Sequence, residues 1–138
     1  MSEPLMLWYG WGEHSGGHAV SEDRLAVLGR ELGLSGRRTP PVSLASVVVP
    51  ASTLGDDVAA ALADAVGGSS WVRSSDEERV RHAAGRSYPD LIRLRSGSSL
   101  APPDAVVYPE SHDSVAAVLE LCAERGIAVV PFGGGTKC

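Results

Sequence analysis

Pro131-Phe132-Gly133-Gly134-Gly135-Thr136 is the segment of this chain whose residue types and spacing could do chemistry. Three consecutive glycines need a reason, because each loses more backbone entropy on folding than any other residue. They follow Ile127-Ala128-Val129-Val130, an apolar, β-rich run that reads as a buried strand. Ligands of open α/β sheets lie beyond the carboxyl ends of the strands. A glycine there presents a bare N–H, allows positive φ and has no Cβ to block close approach. Successive N–H groups can then converge on an anion, with the Thr136 hydroxyl as a further donor. A dinucleotide diphosphate has the right charge and size. The spacing alone leaves a plain glycine turn equally open. The GxGxxG fingerprint fails, since nothing after Thr136 supplies the last glycine, and the Walker A pattern fails as well.

Other constellations carry less. His14 and His18 are four apart, but Ser15-Gly16-Gly17 between them argues against a helix that would make them metal ligands. His82 and His112 suit surface or capping roles, and no nucleophile triad is legible beside His112. Arg73, Arg79, Arg81, Arg86, Arg93 and Arg95 form a basic stretch offset by Asp76, Glu77, Glu78 and Asp90. A solvated face is the simpler expectation; contact with a phosphate or with the following domain is the other. Cys122 lies on an apolar helical stripe and should be an inert core thiol. Cys138 would react only through exposure. Trp8 and Trp11 read as an anchor pinning an amino-terminal arm to a larger body.

The elements that must position the glycine segment follow from caps and periodicity. A helix is expected from Ser21 to Leu32, with Leu25, Leu28 and Leu32 on one face and Gly33 ending it. A second is expected near 54–66, with Thr53 and Asp56 resembling a capping box. Ser75-Asp76-Glu77-Glu78 opens a short helix, and Ser87 with Pro89 opens another through Arg95. Asp104 to Pro109 reads as a buried strand. Ser111 caps a helix to Arg125 with Val115, Val118, Leu119 and Cys122 as its stripe, and Gly126 terminates it. Strand, helix and returning strand at 127–132 would form a right-handed βαβ unit.

The whole is 138 residues with a net charge of −5, which gives no general attraction for nucleic acid. No apolar run approaches the ~20 residues that span a bilayer. The start Met1-Ser2-Glu3-Pro4 lacks a basic signal region, so a cytoplasmic protein is expected. Two cysteines exclude a disulfide framework.

Three ordered blocks carry a family resemblance. Asp104-Ala-Val-Val-Tyr-Pro-Glu-Ser-His-Asp-Ser-Val115, followed by Gly126-Ile-Ala-Val-Val-Pro-Phe-Gly-Gly-Gly-Thr136, resembles the start of the FAD-binding domain of the vanillyl-alcohol oxidase/PCMH flavoenzymes. Trp8-Tyr-Gly-Trp-Gly12 and Arg81-His-Ala-Ala-Gly-Arg-Ser-Tyr-Pro-Asp-Leu-Ile-Arg-Leu-Arg-Ser-Gly97 look like segments of the alkyldihydroxyacetonephosphate synthase-like subfamily. The resemblance implies an α/β (α+β) chain: a helical, loop-rich extension over 1–101 and the start of a PCMH-type FAD-binding domain over 102–138. It implies FAD as cofactor, with Pro131, Phe132, Gly133, Gly134, Gly135 and Thr136 at its pyrophosphate. Alkyl-for-acyl exchange on dihydroxyacetone phosphate is the implied activity. Hydride-transferring oxidation of alcohols or 2-hydroxy acids is the alternative, and a ligand-free α/β module is the non-enzymatic one. A small, phosphate-bearing substrate is the implied partner. No catalytic residue carries over. The family continues past the glycines with Ser and more glycines where this chain has Lys137-Cys138, so the resemblance implies an amino-terminal piece of a longer enzyme.

Overall fold

The computed structural model describes residues 7–12, 20–34, 40–97 and 100–135. Its helices are α1 (Glu22–Leu32), α2 (Asp56–Ala65), α3 (Asp76–Arg81), α4 (Tyr88–Ser96) and α5 (His112–Arg125). Two short strands, β1 (Val72–Arg73) and β2 (Val106–Val107), complete a mixed α/β chain dominated by helices. No helix among the described residues is long and apolar enough to cross a membrane.

Local chemistry sets most helix ends. The Ser75 hydroxyl accepts from the Glu78 N–H at 3.4 Å, Ser87 from Asp90 at 3.4 Å and Ser111 from Ser114 at 3.1 Å. Each satisfies an N–H that the first turn leaves without an intrahelical partner. Gly33, Gly97 and Gly126 close α1, α4 and α5 in the left-handed conformation. The expected capping box at Thr53 does not form, and Gly55 is the N-cap of α2 without a side-chain bond. Thr53 is engaged elsewhere: its N–H and hydroxyl donate to the Asp104 carboxylate at 2.7 and 3.3 Å.

The sheet differs from the expected βαβ unit. β1 pairs with β2 antiparallel, Val72 opposite Val107 and Arg73 opposite Val106. The strand-then-helix half, β2 followed by α5, forms as expected. Residues 127–132 carry no strand and have no ladder partner among the described residues. The reason lies in packing. Ile127 alone reaches the core, whereas Val129 and Val130 are exposed. A strand is stable only where a neighbour takes its N–H and C=O groups.

Two separate apolar cores result. The first joins Trp8, Val47, Val80, Leu91 and Leu94, flanked by Tyr9, Leu44, Val49, Ala84 and Leu100. The second seats α2 on α5 through Leu62, Val66, Val118 and Cys122, with Val72 and Val107 of the strands and Trp71 beside them. On α5 the Val118–Cys122 line faces inward, while Val115 and Leu119 of the expected stripe are exposed. α1 buries none of its residues: on its expected apolar face Leu28 and Leu32 are exposed and Leu25 is half-buried.

The start of the FAD-domain-like segment is gripped from two sides. Arg79, itself buried, donates Nε–H to the Pro103 carbonyl at 2.7 Å. Ser52 donates its hydroxyl to the Asp104 carbonyl at 3.1 Å, beside the Thr53 bonds to the carboxylate. The Thr53 N–H, above all, lowers the Asp104 pKa below the usual carboxylate value, against a smaller opposing effect of burial. A carboxyl with a lower pKa folded than unfolded stabilises the fold above its ordinary range, and that support disappears as pH falls through the folded value. Asp104→Ala should therefore cost about 1–2 kcal/mol in urea unfolding at pH 7, and the loss should shrink below pH ~3.8. A pH-independent difference would show that the carboxylate charge plays no part.

Candidate functional site

The glycine segment lies against the joint between α3 and α4. Phe132 packs edge-on to the His82 ring, 4.6 Å between centroids. His82 is held by its Nδ1–H, which donates to the Glu78 carbonyl at 2.8 Å. The Tyr108 hydroxyl donates to the Glu78 carboxylate, and the Arg73 guanidinium stacks 4.6 Å from the Tyr108 ring centroid. Glu78 is thus shared among an arginine, a tyrosine and a histidine, with Arg73 Nη1 3.6 Å from its other oxygen. Aromatic edge contacts of this kind are worth about 0.5–1.5 kcal/mol beyond their buried area. His82 serves as a wedge under Phe132, a fuller role than the capping one expected for it.

Gly135 is buried and anchored. Its carbonyl accepts the Arg86 backbone N–H at 2.5 Å. Its φ is +67°, and a Cβ built on it would stand 2.9 Å from Phe132 Cζ and 3.1 Å from Arg86 Cγ. Gly133 and Gly134 are exposed. A Cβ on Gly133 would meet nothing within 4 Å. Among the described residues, the backbone N–H groups of Gly133 and Gly134 donate to no protein acceptor. The loop therefore combines a fixed foot at Gly135 with two bare, accessible amides, which suits the diphosphate of a dinucleotide. Pro131 is exposed, Phe132 half-buried, and Thr136 lies outside the described residues.

Arg86 sits directly beneath this foot at 5% exposure. Its guanidinium donates to the Trp8 carbonyl at 2.7 Å and to the Arg81 carbonyl at 3.2 Å. Its own carbonyl accepts the Trp11 indole N–H at 3.0 Å. The basic stretch is therefore no uniform solvated face. Arg79 and Arg86 are buried on backbone carbonyls, Arg81 pairs with Glu77 at 2.5 Å, and Arg93 pairs with Asp90 on the outside. Sequence reasoning missed Arg86 as a site residue. The signal that could have found it is the Gly85-Arg86-Ser87 breaker-and-cap joint, which forces the chain to turn where the glycines arrive. Cys122 is a buried core thiol, and His112 lies exposed at the start of α5. His14, His18 and Cys138 lie outside the described residues.

The chain has measurable relatives. The family model of the FAD binding domain matches residues 103–138. Alkyldihydroxyacetonephosphate synthase of Trypanosoma brucei brucei is 43% identical over 66 residues, 48% of this chain and 11% of that protein. Protein Rv2250A of Mycobacterium tuberculosis is 33% identical over 106 residues, 77% of this chain and 70% of that protein. A solved alkyldihydroxyacetonephosphate synthase structure superposes on 96% of this chain with a TM-score of 0.81 and 22% identity, using 28% of its own length. This last likeness concerns the fold alone. The chain spans about a tenth of the trypanosomal synthase and more than two thirds of the mycobacterial protein.

The two ends of the glycine triplet should respond unequally to a methyl group. Gly135→Ala should lower stability by about 1–2 kcal/mol, since it meets both positive φ and two close neighbours. Gly133→Ala should stay within about 0.5 kcal/mol of the parent in thermal unfolding. Equal effects would contradict the anchored and open halves described here.

Proposed function

Because the chain belongs to the PCMH-type, FAD-linked oxidase family of flavoproteins, we propose that its Pro131–Thr136 loop holds the FAD diphosphate in an enzyme resembling alkyldihydroxyacetonephosphate synthase. The observation that carries this reading is the pair of bare amides at Gly133 and Gly134 beside a foot fixed at Gly135. An anion held by backbone N–H groups needs no side-chain charge at the contact. Residues 102–138 are the start of the FAD-binding domain in this reading, and 1–101 the extension that supports it. Phe132 and His82 form the wall behind the loop, and the α3–α4 joint keeps the loop from sliding along it.

Bound FAD supplies an isoalloxazine ring able to accept electrons from a substrate. The substrate class we favour is an acylated dihydroxyacetone phosphate whose acyl group leaves as the carboxylate while an alkyl alcohol enters; the relatives' names give alkyldihydroxyacetone phosphate as the product of those proteins. This chain's own share of that chemistry is orientation: it fixes the diphosphate end of the dinucleotide and leaves the ring to be placed by other residues.

Titration of the isotopically labelled chain with FAD tests the reading. The amides of Gly133 and Gly134 should show the largest shifts, and inorganic pyrophosphate should compete. Gly134→Val should abolish the response while leaving the fold intact. Shifts confined to α1 or α5, or none at millimolar FAD, would defeat the assignment.

A further inference from the structure

The support of the glycine loop runs through one side chain to a segment far away in sequence. Among the described residues, the backbone and the guanidinium of Arg86 bond to Gly135, Trp8, Arg81 and Trp11. Its N–H holds the Gly135 carbonyl at 2.5 Å. Its guanidinium holds the carbonyls of Trp8 and Arg81. Its carbonyl receives the indole N–H of Trp11, a residue 75 positions earlier. Trp8 is buried in the first core at 4% exposure, whereas Trp11 is 67% exposed and its indole N–H bonds the Arg86 carbonyl. A buried guanidinium is tolerable only while its donors are met by fixed acceptors. Its geometry here therefore depends on the docked Trp8–Trp11 segment. Undocking that segment removes the Trp8 carbonyl from the guanidinium and the Trp11 donor from the Arg86 carbonyl at once. The same short stretch of backbone carries the N–H that anchors Gly135.

We infer that Arg86 is a positioning residue that makes the shape of the glycine loop, and with it the grip on a dinucleotide diphosphate, depend on docking of Trp8 and Trp11. The role in binding rests on the FAD reading above; the control of loop shape does not. The aromatic segment is then more than a packing anchor. It is a remote determinant of affinity that touches no ligand.

Two measurements on the 138-residue chain keep these statements apart. The first uses no ligand: amide hydrogen exchange at position 86, whose protection reports whether the Gly135 carbonyl stays docked. Trp11→Phe removes a single indole N–H from an exposed ring, so the melting temperature should hold. Exchange at position 86 should nevertheless rise about tenfold, and the Gly135 amide resonance should move. Arg86→Met should raise it further, and Arg86→Lys, which keeps one donor for the Trp8 carbonyl, should restore part of the protection. Arg93→Lys on the outer face of α4 should change nothing. The second measurement is the FAD titration: Trp11→Phe and Arg86→Lys should each weaken binding about tenfold. Unchanged protection in Trp11→Phe, or protection lost equally in Arg93→Lys, would overturn the inference. Coupled exchange with no FAD response in any variant would keep the positioning role and remove the cofactor reading alone.

Discussion

A buried guanidinium with nowhere to go organises this molecule. Arg86 is removed from water, so its donors must find carbonyls, and the carbonyls they find belong to segments that sequence order keeps far apart. Charge-assisted bonds of this kind are short and stronger than neutral ones. Their direction is also fixed, because the guanidinium fork is planar. One arginine thereby sets the relative placement of the amino-terminal aromatics, the α3–α4 joint and the glycine loop. Arg79 repeats the device a few residues earlier, on the Pro103 carbonyl. Both arginines tie the helical extension to the segment that carries the glycines.

The loop itself divides two demands between neighbouring residues of one type. Gly135 is glycine because positive φ and close neighbours exclude a side chain. Gly133 meets no such restriction in the protein, and its backbone faces open space. In the proposed reading, a bare backbone without an internal steric reason serves an external one, the approach of a ligand. The proposed ligand contact is thus at the exposed end of the triplet, and the mechanical requirement lies at the buried end.

Short-range chemistry made much of this legible from the letters. The serine caps of α3, α4 and α5 and the terminal glycines of α1, α4 and α5 are decided within four or five residues, and those elements lie where spacing puts them. What escaped was decided across long separations. β1 is two residues long, too short for any alternation to show, and exists because Val107 and Val106 offer it a ladder. Thr53 could cap α2 or bind Asp104, and only the folded chain brings Asp104 within reach. The apolar run at 127–130 has the composition of a buried strand, yet Val129 and Val130 are exposed and no ladder partner for them lies among the described residues. The family resemblance pointed to the loop; it could not say which residue's backbone holds the loop's foot.

The two cores share no buried residue, one built around Trp8 and Leu94, the other around Leu62 and Cys122. Polar bonds at Pro103 and Asp104, together with the Arg73 and Tyr108 contacts to Glu78, link the segments that carry them. Hydrophobic substitutions on opposite sides of these links should then combine additively, each core behaving as its own unit of opening. Either half can therefore be repacked with little effect on the other only while these polar links between them are kept.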